Sequence, residues 1–557
     1  MLMSWLKYKY ELIPDRDEIE LISREFGVNK YISAVLIQRF GCNVGDIYKF
    51  LNPSVNDLHD PFLLTGIVEC IDIIQHSIVN CENILIYCDY DVDGITSASI
   101  LYRFLQKNFK LAEGLTYRTA SRFGNGYGLS VDDVKFAIDR CVSLIITVDC
   151  GTKDYEAISL AVENNIKVIV VDHHEFGDGQ NCANVILNPK GVESTYPFKD
   201  LSGCGVVFKL LQALNDRLLG DKDDIYEYID LLALSICCDI VPLVDENRAL
   251  LVKGLEKINV NPQLGLKYLI CGSGLEGNVG VDDILFKIGP RINAPGRVGD
   301  PSVCVELFIT DDESRVVELV GEINNIYRIR KDLCNEALRE IDRMINVNNE
   351  CCEPTVVYKS DWNLGILGIL AAKCVEKKYV PSVVMTDKNS EYIVGSVRSV
   401  DGLDIVTVLG ECKDLLVRFG GHKMAAGLLL ERKNIDKFVS LFSEKVSALL
   451  KNGSFGEILD VNIKIPLRNI TCEFYSDILK LSPFGFGNYS PVFESTVYFI
   501  SSIFHYRDTI CRIKFGDGVI CGIVKGRNIL IRGYRKIQYS VFFREGITLN
   551  ILNILQE

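Results

Sequence analysis

Proline is sparse in this chain, 15 of 557 residues, and the 44 glycines follow no repeat. That composition excludes a collagen-like, low-complexity or disordered polypeptide. Positive charge is in deficit too: 60 Lys and Arg against 74 Asp and Glu leave a formal net charge of −14. Electrostatics of the whole chain therefore mark no polyanion binder, and contact with nucleic acid must come from local basic patches or bound cations. No apolar run approaches the ~18 residues that cross a bilayer, and the first 15 residues hold no apolar core or small-residue cleavage site. The expectation is a soluble, cytoplasmic protein that makes no membrane contact. Cysteine is plentiful, at 20, but Cys-x-x-Cys is missing, so neither a zinc ribbon nor a thioredoxin motif is signalled. Many of the cysteines lie in apolar runs such as residues 236–240, where a thiol acts as a small hydrophobe. Reduced, structural cysteines point to a reducing compartment.

What is present is a large apolar fraction, 48%, beside 24% charged residues, enough for about three to five folding units with proper cores. Residues 1–80 carry helical periodicity broken at Gly41, Pro53 and Pro61, and read as a helical lead-in without chemistry of its own. From 81 to 311 short continuous β-branched runs at 84–88, 144–148 and 168–171 alternate with helix-length segments, the pattern of a buried parallel sheet in an α/β unit. Residues 312–347 repeat apolar positions at helical spacing (Val316, Leu319, Ile323, Ile326, Leu333, Leu338, Ile341) and read as one long connecting helix. A second α/β unit follows at 348–450, with strands near 355–358 and 381–385. Residues 451–557 are rich in β-branched and aromatic residues with turns at Gly516-Asp517-Gly518 and Lys525-Gly526-Arg527, as in a small β-barrel. Within 501–550, nine Lys and Arg face three Asp and Glu. Two readings stand: a solvated sheet face, or a polyanion groove with Phe504, Tyr506, Tyr534 and Tyr539 available to stack on bases.

Each of the three strands in the first α/β unit runs into acids or histidines: Asp89-Tyr90-Asp91-Val92-Asp93-Gly94, then Asp149-Cys150-Gly151, then Asp172-His173-His174. Asp239, closing the apolar stretch 231–238, is a fourth candidate for the same rim. In open α/β sheets the carboxyl ends of the strands border the ligand crevice, so these side chains are expected to converge. Hard carboxylates with imidazole and no thiolate suit Mn²⁺ or Mg²⁺. The donors suffice for two ions, and a pair about 3.5–4 Å apart can activate water and stabilise both oxygens of an in-line phosphoryl displacement.

These motifs, in this order, resemble the DHH phosphoesterase family, named for its Asp-His-His. Within it the chain is similar, essentially end to end, to the single-strand-specific 5′→3′ DNA exonucleases. The similarity is carried further by Arg122-Phe123-Gly124-Asn125-Gly126-Tyr127-Gly128-Leu129, Leu187-Asn188-Pro189, Ser202-Gly203-Cys204-Gly205-Val206 and Asp239-Ile240-Val241-Pro242-Leu243. Gly289-Pro290-Arg291-Ile292-Asn293-Ala294-Pro295-Gly296-Arg297 continues it. In the second lobe it rests on Trp362 with Gly365-Ile366-Leu367-Gly368, Gly395-Ser396-Val397-Arg398-Ser399 and Phe419-Gly420-Gly421-His422. The resemblance implies a DHH domain and a DHH-associated domain, both α/β, joined by the long helix, plus a C-terminal OB-fold β-barrel that includes Pro483-Phe484-Gly485-Phe486-Gly487-Asn488.

The same resemblance implies Asp91, Asp93, Asp149, His173 and Asp239 as metal ligands, with Asp149 bridging two Mn²⁺ or Mg²⁺ ions. His174 would donate to the scissile phosphate or, alternatively, support His173. Arg122 and Tyr127 would meet the 5′ end, and Arg398 and His422 would grip backbone phosphates. Arg291, Asn293 and Arg297 would line the nucleic-acid path or, equally, form an interlobe hydrogen-bond network. Tyr87 and Cys88 stand where many members carry His or Gly, which leaves an extra ligand at the first metal open. Asn363 replaces the usual His after the tryptophan and is given no catalytic role. The expected activity is release of 5′-mononucleotides from single-stranded DNA in repair and recombination, by a monomer whose family associates implicate a single-strand-binding protein and a RecQ-type helicase. Two alternatives are a phosphoesterase for short oligonucleotides or cyclic dinucleotides and a non-catalytic DNA-binding scaffold. The basic tail argues against the first, the intact ligand set against the second.

Overall fold

The computed structural model describes residues 7–10, 13–109, 111, 114–121, 128–220, 224–345, 353–452, 458–497, 500–506, 510–515, 520–525, 535–543 and 547–556. After strand β1 (Lys7–Tyr10), helices α1 (Arg16–Phe26), α2 (Lys30–Phe40) and α3 (Val44–Leu51) each start at a side chain that accepts a backbone N–H of the first turn, from Asp15, Asn29 and Asn43. Such caps satisfy amide groups that a helix start leaves without partners. These helices do not stand apart as a lead-in. Ile22, Ile32, Leu36, Ile47 and Phe50 share one apolar core with Phe474, Phe493, Tyr539 and Leu549 near the other end of the chain.

Helix α4 (Ile67–Val79) packs instead on the first α/β lobe. There β2 (Asn83–Cys88), α5 (Val92–Phe109), β3 (Leu115–Thr119), α6 (Val131–Asp139), β4 (Val142–Val148), α7 (Tyr155–Glu163), β5 (Lys167–Val171) and β6 (Val185–Leu187) build a parallel sheet in the order β3-β2-β4-β5-β6. Three strands were legible as continuous apolar runs; β3 and β6 form the edges, where the runs are short or mixed. Side chains alternate across the sheet with the period of two that extended backbone imposes. Ile84, Ile86, Leu144, Ile146, Ile169 and Val171 face one core, and Leu85, Tyr87, Ile145, Val168 and Val170 face the other. Helices α4, α5 and α8 (Gly203–Leu214) lie against the first face, with α9 (Ile229–Cys238) packed behind α5 and α8 and α10 (Asp245–Val260) behind α9; α6 and α7 cover the second. Because the chain leaves β2 for β3 on one side and returns to β4 on the other, the order reverses between β2 and β4, which opens a crevice at their carboxyl ends.

Short helices α11 (Leu264–Gly272), α12 (Val281–Asp283), α13 (Gly289–Ile292), α14 (Pro295–Val298) and α15 (Ser302–Ile309) lead to α16 (Glu313–Ile345). At 1.5 Å per residue its 33 residues reach about 50 Å. Its first half buries Val316, Leu319 and Ile323 against the first lobe, its second half Cys334, Ala337 and Ile341 against the second. That second lobe comprises β7 (Thr355–Tyr358), α17 (Leu367–Lys378), β8 (Ser382–Asp387), β9 (Tyr392–Arg398), α18 (Ile405–Glu411), β10 (Arg418–His422), β11 (Ala425–Glu431) and α19 (Ile435–Asn452). Its sheet runs β10-β11-β9-β8-β7, parallel only between β7 and β8.

β12 (Ile458–Val461) pairs with β1. Beyond it β13 (Ile463–Lys464), β14 (Phe493–Val497), β15 (Ile500–Tyr506), β16 (Ile510–Phe515), β17 (Ile520–Lys525), β18 (Arg535–Phe543) and β19 (Ile547–Gln556) form a seven-stranded sheet, β13-β14-β18-β19-β17-β16-β15, where the barrel was expected. Helix α20 (Cys472–Leu479) lies between β13 and β14 in the chain. One expected stacking residue is excluded: Tyr539 is fully buried and its hydroxyl lies 2.6 Å from Ser495 Oγ. The side chains of Phe504, Tyr506 and Tyr534 lie outside the described residues. The cysteines whose side chains are described are free thiols, and no single described helix is long and apolar enough to cross a membrane.

Candidate metal centre

The acids gather because the backbone around them is bent to bring them together. Asp91 Oδ1 accepts the N–H groups of Asp93 (2.9 Å) and Gly94 (3.2 Å) and so starts α5. Gly94 lets this turn lie against the end of β2: a Cβ there would sit 2.5 Å from the Asp89 carbonyl oxygen. Asn293 Oδ1 accepts the Val92 N–H at 3.1 Å and anchors the same turn from outside. Asp149, just past β4, has φ +58°, a left-handed conformation that a non-glycine residue holds only where its surroundings impose it. Asp93 is gripped by the start of α8, where the Gly203 and Cys204 N–H groups donate to it at 2.7 and 2.8 Å. Asp239 comes from the C-terminal end of α9. The apolar stretch before it is therefore a buried helix, not a fourth strand; a short apolar run does not separate the two by periodicity.

His173 is the centre of the arrangement. Its Nε2 lies 3.3 Å from Asp149 Oδ1, 3.6 Å from Asp239 Oδ2 and 3.7 Å from Asp93 Oδ2. That nitrogen is buried and makes no hydrogen bond to any described residue. Three sets of donor atoms each fall within 4.8 Å of one another: Asp89 with Asp91 and Asp149; Asp93 with His173 and Asp239; and Asp149 with Asp172, His173 and His174. Asp149 belongs to two of the sets.

Electrostatics says what is missing from such a cluster. Burial, followed by the negative charges of its neighbours, pushes Asp91 and Asp149 above the ordinary carboxylate range. The same causes, with Asp93 and Asp91 as the neighbours, push Asp239 up to about 9. Burial lowers His173 and keeps its imidazole neutral, the form with a free lone pair. Like charges this close do not all ionise without cations between them, and the donors are carboxylate oxygens plus one neutral imidazole nitrogen. The residues fit hard divalent ions such as Mn²⁺ or Mg²⁺.

Asp172 does different work. It accepts the N–H groups of Thr152, His173 and His174 and bonds His174 Nδ1 at 2.7 Å. Burial opposes its charge, but His174 and Thr152 outweigh that and hold its carboxyl below the usual range. Burial likewise opposes charging of His174, and the bond to Asp172 outweighs it and raises the imidazole. Asp89 and Asp172 stood in the quoted motifs without an assigned role; each is the first acid after a strand, and that position was the available signal.

The remaining sequence candidates are more dispersed. Arg291 donates to Asn324 Oδ1 (2.9 Å) and the Lys287 carbonyl (2.6 Å) and lies over the Tyr327 ring, on the connecting helix. Arg297 reaches the Gly365 carbonyl at 3.2 Å and so ties the lobes together. Asn293 is bonded to α5, and of the three side chains only Arg297 bonds from the first lobe to the second. Arg398 bonds Ser396 Oγ and the Val397 carbonyl, and His422 is exposed at the end of β10. Arg122 and Tyr127 lie outside the described residues. Tyr87 OH is 2.9 Å from both the Gly128 carbonyl and Asp133, on the far sheet face, and among the described residues neither it nor Cys88 joins a donor set. Asn363 caps the turn at Gly365.

Family models agree with this architecture. The N-terminal domain of the DHH family matches residues 83–236 and the DHHA1 domain matches 353–448. Parallel sheet, second lobe and clustered acids together have the architecture of the DHH family. Among curated proteins, the single-stranded-DNA-specific exonuclease RecJ of Escherichia coli is 30% identical over 77% of this chain and 78% of its own. That of Bacillus subtilis is 34% identical over 88% of this chain. The chain spans 62% of the Bacillus protein's length. The chain belongs to the RecJ family. The crystal structure of RecJ with Mn²⁺ from Thermus thermophilus shares the fold, with TM-score 0.84, 23% identity, and coverage of 99% of this chain and 80% of that one. A crystal structure of exonuclease RecJ bound to manganese is 30% identical, with TM-score 0.60 over 69% of this chain and 95% of that one.

Proposed function

We propose that this chain hydrolyses single-stranded DNA from its 5′ end and releases 5′-mononucleotides. The observation that carries the reading is the convergence of Asp91, Asp93, Asp149, His173 and Asp239 in one cluster of metal-ligand atoms at the sheet's switch point. These five residues would hold two divalent ions, Mn²⁺ or Mg²⁺, and Asp149 is common to two of the ligand-atom sets. Bound divalent cations supply Lewis acidity at a phosphodiester and lower the pKa of water.

The chain's own side chains do the rest. Asp172 engages His174 Nδ1, which leaves Nε2 as the nitrogen that donates to a non-bridging phosphate oxygen. A proton on that nitrogen is aimed at charge that grows in the transition state. Arg398 and His422 contact backbone phosphates from the second lobe, Arg398 through a guanidinium fork. Arg122 and Tyr127 receive the 5′ end. The duplex, about 20 Å wide, is excluded from a cleft that admits one strand. Action as a cytoplasmic monomer, with a single-strand-binding protein and a RecQ-type helicase as associates, belongs to the same proposal.

The experiment is a digestion time course on 5′- and 3′-labelled oligonucleotides, single- and double-stranded, with and without Mn²⁺, beside a dinucleotide. The expected result is Mn²⁺-dependent loss of the 5′ label first, from single strands. Preference for the dinucleotide over long strands would replace the exonuclease reading with a short-oligonucleotide phosphoesterase.

A further inference from the structure

Asp93 is clamped by three hydrogen bonds. Its Oδ1 accepts the Cys204 N–H at 2.8 Å and the Ser235 hydroxyl at 2.7 Å, and its Oδ2 accepts the Gly203 N–H at 2.7 Å. A serine hydroxyl has one hydrogen, and a carboxylate only accepts. With the Ser235 hydrogen committed to Asp93, Ser202 must be the donor across the 2.6 Å contact between the two hydroxyls. Ser202 Oγ accepts in turn from the Gly205 N–H at 3.1 Å. Every hydrogen in this run, from Gly205 through Ser202 and Ser235, therefore points toward Asp93. Ser235 and Ser202 are fully buried, so no water competes for these bonds. The same residue reaches a second acid through its backbone: the Ser235 carbonyl accepts the Asp239 N–H at 2.9 Å, one helical turn on.

A carboxylate offers about four lone-pair positions. Cys204 and Ser235 fill both positions on Oδ1, and Gly203 fills one on Oδ2. The position left is on Oδ2, the oxygen that faces His173 Nε2 at 3.7 Å. We propose that Ser235 is a positioning residue that restricts Asp93 to offering a divalent ion one oxygen, Oδ2, and blocks a two-oxygen mode. The proposal rests on the metal-centre reading above. Its consequence is selectivity: Mg²⁺ demands near-octahedral geometry at short distances, whereas Ca²⁺ accepts carboxylates through two oxygens and tolerates irregular shells. Without the Ser235 hydroxyl, Oδ1 regains a free lone pair and the discrimination between the ions relaxes.

The test is metal binding without DNA: Mn²⁺ uptake followed by electron paramagnetic resonance, with Mg²⁺ and Ca²⁺ measured by competition. Ser235→Ala is expected to weaken Mn²⁺ and Mg²⁺ by about tenfold, the scale seen when a partner of a metal ligand is removed, while Ca²⁺ affinity stays within about twofold. Ser235→Thr keeps a hydroxyl and is expected to restore Mn²⁺ affinity. Ser202→Ala leaves the Ser235 hydroxyl without its donor and is expected to fall between, which keeps the test alive if Ser235→Ala folds poorly. Melting of the metal-free variants reports loss of packing separately from affinity. Unchanged Mn²⁺ affinity in Ser235→Ala, or an equal loss for Mg²⁺ and Ca²⁺, overturns the proposal. A wild-type protein that takes up no Mn²⁺ overturns the metal-centre reading itself, so the two failures are distinguishable.

Discussion

Metal-free protein should lose stability as the pH rises, and Asp239→Asn should remove much of that loss. Burial and the charges of Asp93 and Asp91 push the Asp239 carboxyl up to about 9, against ~3.9 for an exposed aspartate. Between those values the folded chain holds a proton that the unfolded chain has released. With more protons bound in the native state, stability declines with pH, by at most ~1.4 kcal/mol per pH unit for this group. The side chain is 27% exposed, and partial solvation brings the working figure to about 1 kcal/mol per unit. In an α/β lobe of this size that is about 2–4 °C in Tm per pH unit. His174, also raised, adds a loss in the same direction above its ordinary ~6.5. His173, lowered, works the opposite way below ~6.5. The comparison is therefore made from pH 7 to 9. Thermal melts in chelator should fall across that window in the wild type and fall less in Asp239→Asn, and Mn²⁺ should flatten the wild-type curve because the ion takes the proton's place. Parallel wild-type and Asp239→Asn curves would refute the argument.

Three further outcomes follow from the same geometry. Asp149→Ala should abolish Mn²⁺-dependent cleavage and leave the circular dichroism spectrum unchanged, since it removes one of several buried like charges; residual nuclease activity at the wild-type level contradicts the site. His174→Ala should lower kcat by about 10²–10⁴ with Mn²⁺ affinity within a few-fold, read by single-turnover kinetics beside a metal titration. Lys209 and Glu246 form a fully buried pair, with Lys209 also donating to the His59 carbonyl and Glu246 accepting from Tyr196 and the His59 N–H. Lys209→Met leaves that carboxylate without its cation and should cost about 3–5 kcal/mol in urea unfolding.

Much of the site was legible because parallel strands buried on both faces must be written as unbroken apolar runs, and the first polar residue after each run marks the crevice. Asp89 to Asp93, Asp149, and Asp172 to His174 announce themselves this way. Asp239 was found by the acid that ends its apolar stretch, although the stretch is a helix, because burial erases the periodicity that separates helix from strand. Ser235 gave no signal, since one serine inside a hydrophobic helix looks the same whether or not it faces a carboxylate. Tyr539 was misjudged for a related cause: alternation along a strand tells that one face is buried, but not which face carries a given aromatic.

Amino-acid order alone determined the local elements and which chemical groups sit at their ends, because propensity, periodicity and capping act over a few residues. Tertiary structure decided what those groups meet. The start of α8 closes on Asp93 from 110 residues away, α9 turns Asp239 toward His173, and α1 to α3 complete a core with strands near the opposite end of the chain. Such contacts depend on how whole layers pack, and a burial pattern records only that a face is covered, never by what.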